Sequence, residues 1–452
     1  MTAPPSHKLL DAPLDAGVPR YTSYPTAPHF HAGVTGETVS AWLDAVVPDE
    51  AISLYLHVPF CDRLCWFCAC NTRQTLRYAP VAAYLETLRR EIALVGARLA
   101  GRGRVAAIHF GGGSPTLLKP ADLHALRRSL GEAFAIAPDV ALSVEIDPND
   151  MDEGRLDALA GIGLTRASLG IQDFDARVQR AINRPQSFED TAAVVEGLRA
   201  RGVGSVNLDL LYGLPFQTLE TQAATIGLAL SLRPDRMALF GYAHVPWFKK
   251  HQTMIDAAAL PGPLARLEQA SAAARFISSA GYEPVGIDHF ALPGDGLAVA
   301  ARSGRLGRNF QGYTDDACRT LIGLGASSVS RFAQGYAQNA ASTGEHRRLI
   351  ESGRLAAVRG VALSPDDRVR GWLIERLMCD FGFSAARLRQ RFGTAADSVL
   401  REAALTAQGS PHLVRDGDRF TIPPESRPLA RVVAACFDSY LPSAAARHSA
   451  AV

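Results

Sequence analysis

Ile52-Ser-Leu-Tyr-Leu-His-Val-Pro-Phe-Cys61-Asp-Arg-Leu-Cys65-Trp-Phe-Cys68-Ala-Cys70 runs from a short apolar strand into a loop with four cysteines. Thiolates bind iron strongly, and Cys61, Cys65 and Cys68 can each hold one iron of a cubane. The fourth iron then lacks a protein ligand, so a small molecule can coordinate it. Zinc sites usually combine two short cysteine pairs, but the remaining cysteines are isolated, at Cys318, Cys379 and Cys436. The spacing therefore favours an iron–sulfur cluster, with a zinc-binding structural protein as the alternative.

Six strand–helix units follow one another in the first two thirds of the chain. Short apolar runs predict strands at Ile52–Val58, Val105–Phe110, Val140–Ile146, Arg166–Ile171, Val206–Leu211 and Arg236–Phe240. Amphipathic runs predict helices at Val81–Leu99, Pro120–Phe134, Glu153–Ala160, Phe188–Arg201, Leu219–Leu232 and Pro263–Ala280. This alternation is typical of a parallel sheet with right-handed crossovers, either doubly wound or closed into a barrel. Polar motifs follow the strands repeatedly, as in barrels whose sites lie at the carboxyl ends.

The two ends of the chain depart from this pattern. Residues 1–50 indicate an irregular N-terminal arm with short helices, and residues 51–345 the barrel with an extension. For residues 346–452 we expect a smaller, mostly helical domain, with helices at Asp366–Phe381, Ser384–Phe392, Ala395–Ala407 and about Ser426–Tyr440. Asp416-Gly417 between two short apolar runs predicts a hairpin, which makes this domain winged-helix-like.

The composition is that of a globular protein and excludes several classes. The chain has 452 residues, of which 47% are hydrophobic and 20% charged, so large-scale disorder is not expected. The formal charge of +2 gives no reason to expect a nucleic acid or an acidic membrane as partner. No apolar run approaches the roughly 20 residues that span a bilayer, and the proline-rich N-terminus lacks a signal-peptide core. We expect a cytoplasmic protein whose clustered cysteines serve metal chemistry rather than disulfides.

The motifs resemble one enzyme family over nearly the whole chain. The Cys-x3-Cys-x2-Cys spacing is the signature of radical S-adenosylmethionine (SAM) enzymes. Eight motifs then look in order and spacing like oxygen-independent coproporphyrinogen III oxidases: Arg20-Tyr-Thr-Ser-Tyr-Pro-Thr26, Cys68-Ala-Cys-Asn71, Gly170-Ile-Gln-Asp-Phe174, Asn183-Arg184, Asn207-Leu-Asp-Leu-Leu-Tyr-Gly213, Tyr242-Ala-His244, Asp288-His-Phe290 and Asn309-Phe-Gln-Gly-Tyr-Thr314.

The resemblance implies a fold, a reaction and its cofactors. The fold is α/β, a partial (β/α)6 radical SAM barrel with an N-terminal arm and a smaller helical C-terminal domain. The open iron of a [4Fe–4S] cluster chelates SAM, and reductive cleavage yields a 5′-deoxyadenosyl radical. Two propionate side chains of coproporphyrinogen III then lose hydrogen and CO2 and become the vinyl groups of protoporphyrinogen IX. The resemblance also implies two SAM molecules, and the reaction calls for an electron donor such as flavodoxin or ferredoxin. Because no unpaired coiled-coil or apolar stripe stands out in the sequence, we expect a monomer.

Residue types and the resemblance together predict the SAM contacts. Backbone without Cβ atoms at Gly111-Gly-Gly-Ser114 can approach a ligand closely, and Glu145 ends a strand where it can accept hydrogen bonds from SAM. By similarity to the family, the cluster-bound SAM contacts Tyr55, Gly112, Glu145 and Val329. A second SAM is implied at Phe67, Gly113, Ser114, Gln172, Arg184, Asp209 and Ala243. Ser114 and Val329 stand where better-known members have Thr and Ile, which leaves the details of the second site open.

Further expectations concern Cys70, the placement of two SAM contacts, and the binding of the substrate. Cys70 lies near the cluster without being a ligand and is a possible auxiliary catalytic group. Arg184 and Asp209 are expected to lie away from the cysteine loop and to bind an organic ligand rather than iron. The four carboxylates of the substrate call for basic residues, with candidates at Arg20, Lys249, Lys250, Arg305 and Arg308. Related heme chaperones on the same scaffold, which generally lack Cys70 and the arm motif, provide the alternative function.

Overall fold

The computed structural model describes residues 17–441, and its centre is a twelve-stranded sheet. Six adjacent parallel strands are named β1 to β6 here: Ala51–Val58, Arg104–Gly112, Ile136–Ile146, Arg166–Gln172, Ser205–Tyr212 and Arg236–Gly241. They lie in chain order across the sheet, which is the arrangement of a partial (β/α)6 barrel. The sequence prediction of six consecutive strand–helix units is confirmed.

A helix follows each strand and covers the outer face of the sheet. The bounds of these helices are Ala79–Leu99, Pro120–Ala133, Glu153–Gly161, Phe188–Ala200, Leu219–Ser231 and Pro263–Ser279. Side chains alternate between the two faces of a strand. Residues such as Leu54, Ile108, Val144, Leu169 and Leu208 are therefore buried under the helices in one large core. Burial of this apolar face fixes the register of each strand.

The opposite face of the same strands is polar and only partly buried. It carries, from β1 to β5, the side chains of Tyr55, His109, Ser143, Glu145, Ser168, Asn207 and Asp209. Polar groups on an inner face are costly unless they are hydrogen-bonded or face a ligand. The concave side of the sheet is therefore the place where this fold can hold polar small molecules.

Further strands extend the sheet at both edges. Beyond β6 lie two short antiparallel strands, His289–Ala291 and Glu283–Val285. Beyond β1 lie Thr320–Leu324, which is parallel to β1, and then antiparallel strands at Val329–Arg331, Gly335–Asn339 and Ala357–Ala362. The sequence-based boundary after residue 345 falls inside a helix, Thr343–Glu351. Because the sheet continues to Ala362, we propose that the C-terminal domain begins between residues 363 and 365.

The C-terminal part contains three α-helices of eight or more residues, a small sheet and short terminal helices. The three longer helices are Pro365–Asp380, Ala385–Phe392 and Ala396–Gly409, and the sheet joins Gly382–Ser384, Arg419–Thr421 and Val414–Asp416. The predicted helix over Ser426–Tyr440 is wrong in its extent. The chain forms a 3-10 helix at Pro424–Leu429, which contains Pro428, and then an α-helix only at Ala430–Ala435. Proline removes a helix donor, and the Asp438 carboxylate accepts from the backbone N–H of Tyr440 at 2.9 Å, in competition with helical hydrogen bonds.

The N-terminal arm packs against this C-terminal part rather than standing alone. Val18, Tyr21 and Tyr24 share one hydrophobic core with the C-terminal helices. The Tyr21 hydroxyl donates to the Asp438 carboxylate at 3.0 Å, across 417 positions of the sequence. The remaining α-helices of the described chain are Gly36–Asp44, Ala176–Ala181 and Gly296–Arg302, and two strand pairs join Phe60–Cys61 with Arg73–Gln74 and Gly307–Asn309 with Gly312–Thr314.

None of the described helices is both long and apolar enough to cross a membrane.

Candidate active site

The cysteine loop leaves the carboxyl end of β1 and is held from several sides. Cys61 lies in the short strand Phe60–Cys61, and its sulfur is 3.0 Å from the Thr72 hydroxyl. Asn183 donates to the Leu64 carbonyl at 2.9 Å, and Gln252 donates to the Phe67 carbonyl at 2.9 Å. These contacts fix the backbone of the loop over the open end of the barrel, which is where a parallel barrel places its chemistry.

The geometry of the ligand atoms distinguishes a cubane from a zinc ion. Among residues 17–441, Asp62, Asp147 and Asp150 form the one trio of potential ligand atoms that all lie within 4.8 Å of one another. The three cysteine sulfurs are therefore spread more widely than that. Tetrahedral zinc with Zn–S bonds of about 2.3 Å would draw sulfurs to about 3.8 Å from one another. The three sulfurs thus lie further apart than a single zinc ion requires, which leaves room for a larger cluster.

The electrostatics of the three thiols differ in ways that the contacts explain. Burial raises the pKa of the Cys61 thiol to about 12, and burial also raises the pKa of Cys65, against the opposing charge of Arg184. A hydrogen bond with Cys70 lowers the pKa of Cys68 to about 7, with help from the positive charge of Lys249. Iron binding needs thiolates, so the cationic groups beside the loop favour the ligand form.

Arg184 occupies a different place from the one that the sequence suggested. Its Nη1 donates to the Asp147 carboxylate at 2.8 Å and lies 3.5 Å from the Cys65 sulfur, while Nη2 donates to the Gly170 carbonyl at 2.9 Å. The expectation that Arg184 lies away from the cysteine loop is therefore wrong. Its Nε is buried without a hydrogen-bond partner among the described residues, which leaves a donor for a ligand.

The glycine turn after β2 has the shape of a ligand cradle. Gly112 has a φ of 112°, a value that side chains rarely adopt. Its N–H donates to the Glu145 carboxylate at 3.0 Å. A Cβ at Gly111 would come within 2.8 Å of Glu145, and one at Gly113 within 2.4 Å of the Phe60 carbonyl oxygen. Glycine is therefore required here by both conformation and close packing.

A chain of polar side chains surrounds Glu145 on the concave face. His109 lies 3.3 Å from the Glu145 carboxylate and stacks on Tyr55 with ring centroids 5.7 Å apart. The Tyr55 hydroxyl is 3.0 Å from His57, whose other ring nitrogen is 2.9 Å from the Asn71 carbonyl oxygen. Burial alone would raise the pKa of Glu145, but the hydrogen bonds from His109 and Gly112 outweigh it and lower the pKa. Glu145 is thus a carboxylate that can accept hydrogen bonds from a ligand.

The structure places Val329 beside this group. Strand Thr320–Leu324 pairs Gly323 with Tyr55, and a Cβ on Gly323 would lie 2.8 Å from the Val329 carbonyl oxygen. Val329 therefore borders the same side of the sheet as Tyr55. All four residues that the resemblance assigns to the cluster-bound SAM therefore lie around β1, β2, β3 and the strand Thr320–Leu324 that pairs with β1.

The residues assigned to a second SAM are spread from the loop after β1 to the end of β6. Ser114 donates to the Asp150 carboxylate at 2.5 Å, and Gln172 ends β4 with a φ of 68°. Asp209 accepts from Ser168 at 2.9 Å and from Asn207 at 2.8 Å, and burial raises its pKa. Gly113 follows Gly112 in the glycine turn.

Phe67 and Ala243 are joined by a residue that sequence reasoning missed. The buried Gln252 amide donates to the carbonyl oxygens of both Phe67 and Ala243, at 2.9 and 3.1 Å. Asp147, which anchors Arg184, was also missed. The one feature of the sequence that could have indicated Asp147 is its position, because it directly follows β3 and lies two residues after Glu145.

Cys70 is exposed and lies close to Cys68. Its N–H is 3.4 Å from the Cys68 sulfur, and Lys249 donates to its carbonyl oxygen at 2.8 Å. Interaction with Cys68 raises the pKa of the Cys70 thiol well above its ordinary value.

The five basic candidates for substrate binding separate into three places. Lys249 and its neighbour Lys250 belong to the segment that braces the cysteine loop, and Arg305 is exposed and bonded to Ser303. Arg20 and Arg308 come together instead, because Arg308 Nη2 donates to the Arg20 carbonyl at 3.1 Å.

The chain matches two family models. Residues 55–229 match the Radical SAM superfamily, and residues 363–429 match the HemN C-terminal domain. Coproporphyrinogen III oxidase, anaerobic 1, of Cereibacter sphaeroides is 50% identical over 94% of this chain and 95% of the relative. Oxygen-independent coproporphyrinogen III oxidase of Paracoccus denitrificans is 49% identical over 97% of each chain. The chain belongs to the oxygen-independent coproporphyrinogen III oxidase family.

A solved member of this family has the same fold. Coproporphyrinogen III oxidase of Escherichia coli, described as a radical SAM enzyme, matches with a TM-score of 0.89 at 37% identity, covering 93% of this chain and 97% of that one. Membership of the radical SAM superfamily implies a [4Fe–4S] cluster and SAM. The widely spaced thiols, the glycine turn and the unpartnered Arg184 Nε fit these two groups.

Proposed function

We propose that this protein converts coproporphyrinogen III to protoporphyrinogen IX without oxygen, by oxidative decarboxylation of two propionate side chains. The main support is the three-cysteine loop at the open end of a partial barrel. The chain is also about half identical to relatives named coproporphyrinogen III oxidases, over nearly their full length. A side-chain base cannot remove the β-hydrogen of a propionate, because that carbon is not acidic. The reaction therefore requires a radical, which a cluster with bound SAM supplies.

In this proposal, Cys61, Cys65 and Cys68 hold the cluster. Tyr55, Gly112, Glu145 and Val329 hold its SAM. The Gly112 N–H and His109 keep Glu145 ionised and oriented, so that it accepts hydrogen bonds from SAM. The chain would thus contribute binding and orientation of these groups rather than acid–base chemistry.

A second SAM is proposed for the surface formed by Phe67, Gly113, Ser114, Gln172, Arg184, Asp209 and Ala243. Arg184 offers its buried Nε to a carboxylate, and Asp209 offers its acceptors to an ammonium or to hydroxyls. Cys70 is exposed beside the cluster and stays a proposed auxiliary group.

The finer properties of the working enzyme are also proposals. All seven cysteines are free thiols, which is typical of the reducing cytoplasm. The reaction needs a low-potential electron donor, for which a flavodoxin or a ferredoxin is suitable. We propose that the enzyme works as a monomer.

The test is anaerobic turnover of the reconstituted protein with coproporphyrinogen III, SAM and a reductant. We expect 5′-deoxyadenosine, methionine, CO2 and a product that has lost two carboxyl groups, as read by mass. SAM cleavage without CO2 would reject this substrate and leave the radical class in place. Stoichiometric heme binding with no decarboxylation would support a heme chaperone instead.

A further inference from the structure

Four arginines from distant parts of the sequence meet beside the ends of β5 and β6. Arg20 donates to the Gly241 carbonyl at 2.8 Å, and Arg266 donates to the Tyr242 carbonyl at 2.8 Å. Arg308 donates to the Arg20 carbonyl at 3.1 Å, and Arg431 donates to the Val18 carbonyl at 3.0 Å. These four residues are called the arginine cluster below. Each of these hydrogen bonds goes to a backbone carbonyl, which fixes the side chain without neutralising its charge.

The Arg308 guanidinium has unsatisfied donors and no anionic partner among residues 17–441. The residue is 8% exposed, and its Nε and Nη1 have no hydrogen-bond partner among the described residues. It forms no ion pair with a described carboxylate within 4.0 Å, although the face of Tyr313 lies 4.4 Å below its guanidinium. A buried guanidinium with unsatisfied donors is costly, so these donors indicate a ligand with acceptor oxygens.

The charges around the cluster do not balance. Asp288 attracts Arg20, Arg308 and Arg431, but its carboxylate is already 2.7 Å from the His289 ring. Burial lowers the pKa of Arg431 to about 10, and the positive charges of Arg20 and Arg308 act in the same direction. Arg20 and Arg308 thus share Asp288, which favours the binding of an additional negative group beside them.

The cluster is continuous with the polar face that carries the chemistry. Asp209 on β5 pairs in register with Ala238 on β6, and Ala238 pairs with His289 on the next strand. His289 is therefore two strand spacings, about 10 Å, from Asp209. Asp288 and His289 lie between the SAM-facing residues and the arginine cluster, so one extended polyanion can reach both.

We propose that the arginine cluster binds the propionate carboxylates of coproporphyrinogen III that do not react, and thereby selects a tetrapyrrole with several free carboxylates. The proposal rests on the proposed function and assigns the substrate-binding residues within it. Guanidinium forks match carboxylates in geometry and remain charged when partly buried. Because Arg20 and Arg431 come from opposite ends of the chain, the site is complete only when the arm and the C-terminal helix are both in place.

The experiment compares Arg308→Gln and Arg431→Gln with the exposed control Arg347→Gln in full-length reconstituted enzyme. Binding of coproporphyrinogen III and of its tetramethyl ester is measured anaerobically by equilibrium dialysis. Arg308→Gln and Arg431→Gln should each weaken binding of the free acid by about 10- to 100-fold, which is the contribution of one charge-assisted hydrogen bond. Binding of the ester, iron content and SAM affinity should be unchanged, and the control should match the wild type throughout.

Wild-type affinity of Arg308→Gln and Arg431→Gln for the free acid would overturn the proposal, and so would equal losses for acid and ester. If a glutamine variant loses its iron–sulfur cluster, Arg308→Lys provides the test. Lysine keeps the positive charge but lacks the forked guanidinium, so this variant should bind the free acid better than Arg308→Gln. If the wild-type protein bound the acid through these arginines without releasing CO2, the proposed function would fail while the carboxylate site remained.

Discussion

Substitution of Gly112 by alanine tests the glycine cradle at its most constrained point. The residue has a φ of 112°, and an added Cβ would lie 2.6 Å from the Cε1 and Nδ1 atoms of His57. The imidazole cannot easily retreat, because Tyr55 and the Asn71 carbonyl hold its two nitrogens at 3.0 and 2.9 Å. The backbone strain alone is worth about 1–3 kcal/mol. The turn must therefore shift and take the Gly112 N–H away from Glu145.

The expected result of Gly112→Ala is a loss of SAM affinity of about 5- to 150-fold, which is the strain expressed as an equilibrium constant. Iron and sulfide content should stay at the wild-type level, because the cysteine loop does not include this turn. Equilibrium binding of SAM to reconstituted protein, with thermal unfolding in parallel, measures both effects. If the turn keeps its conformation despite the added Cβ, the strain will instead destabilise the folded state and lower the Tm.

Gly227→Ala is the matched control, because it makes the same chemical change in the helix Leu219–Ser231, where a Cβ would have no neighbour within 4 Å. It should leave SAM binding unchanged and stabilise the protein by about 0.5–1 kcal/mol through helix propensity. Wild-type SAM affinity together with a wild-type Tm for Gly112→Ala would refute the reasoning, since the strain would then appear nowhere.

Three further predictions follow from the same contacts. Cys68→Ala should abolish the [4Fe–4S] cluster, whereas Cys70→Ser should keep it, because three thiolates serve three irons; a drop of a quarter in the iron content of Cys70→Ser would make Cys70 a ligand. Asp209→Asn should keep the cluster spectrum but slow CO2 release by about tenfold or more, and unchanged turnover would remove it from the site. Burial raises the pKa of Asp150 from 3.8 to about 6, so the folded state binds the proton more tightly and stability falls as the pH rises from about 4 to 6. Asp150→Asn should remove that fall in thermal unfolding curves, and an unaltered pH dependence would contradict the assignment.

Local sequence patterns were enough for the framework of this protein. Apolar alternation located β1 to β6 to within a few residues for most of them, because burial under the helices dictates which positions are apolar. The cysteine spacing indicated a cluster for a similar reason, since three ligands on one short loop need little help from the rest of the chain. The glycine turn was also visible, because a positive φ leaves few other residues possible.

Prediction was weakest where distant segments meet. Arg184 was assigned away from the cysteines, yet it touches Cys65 across 119 positions, a contact that no local pattern encodes. The C-terminal helix was drawn too long, because helical periodicity outweighed Pro428 and the tertiary hydrogen bonds of Asp438. The two antiparallel strands beyond β6 are three residues each, too short for periodicity to reveal.

Local patterns therefore establish the class of chemistry, which is a cysteine loop at the head of an alternating strand–helix chain. They do not show which charged residues share a site, because that depends on how distant segments pack. Arg431 looks like an ordinary surface residue in the sequence, but it lies in a helix whose other residues are buried, 8% exposed and bonded to the Val18 carbonyl across 413 positions. Charge acts through space, so its consequences depend on distance and burial, and these exist only once the arm, the barrel and the C-terminal domain have packed together.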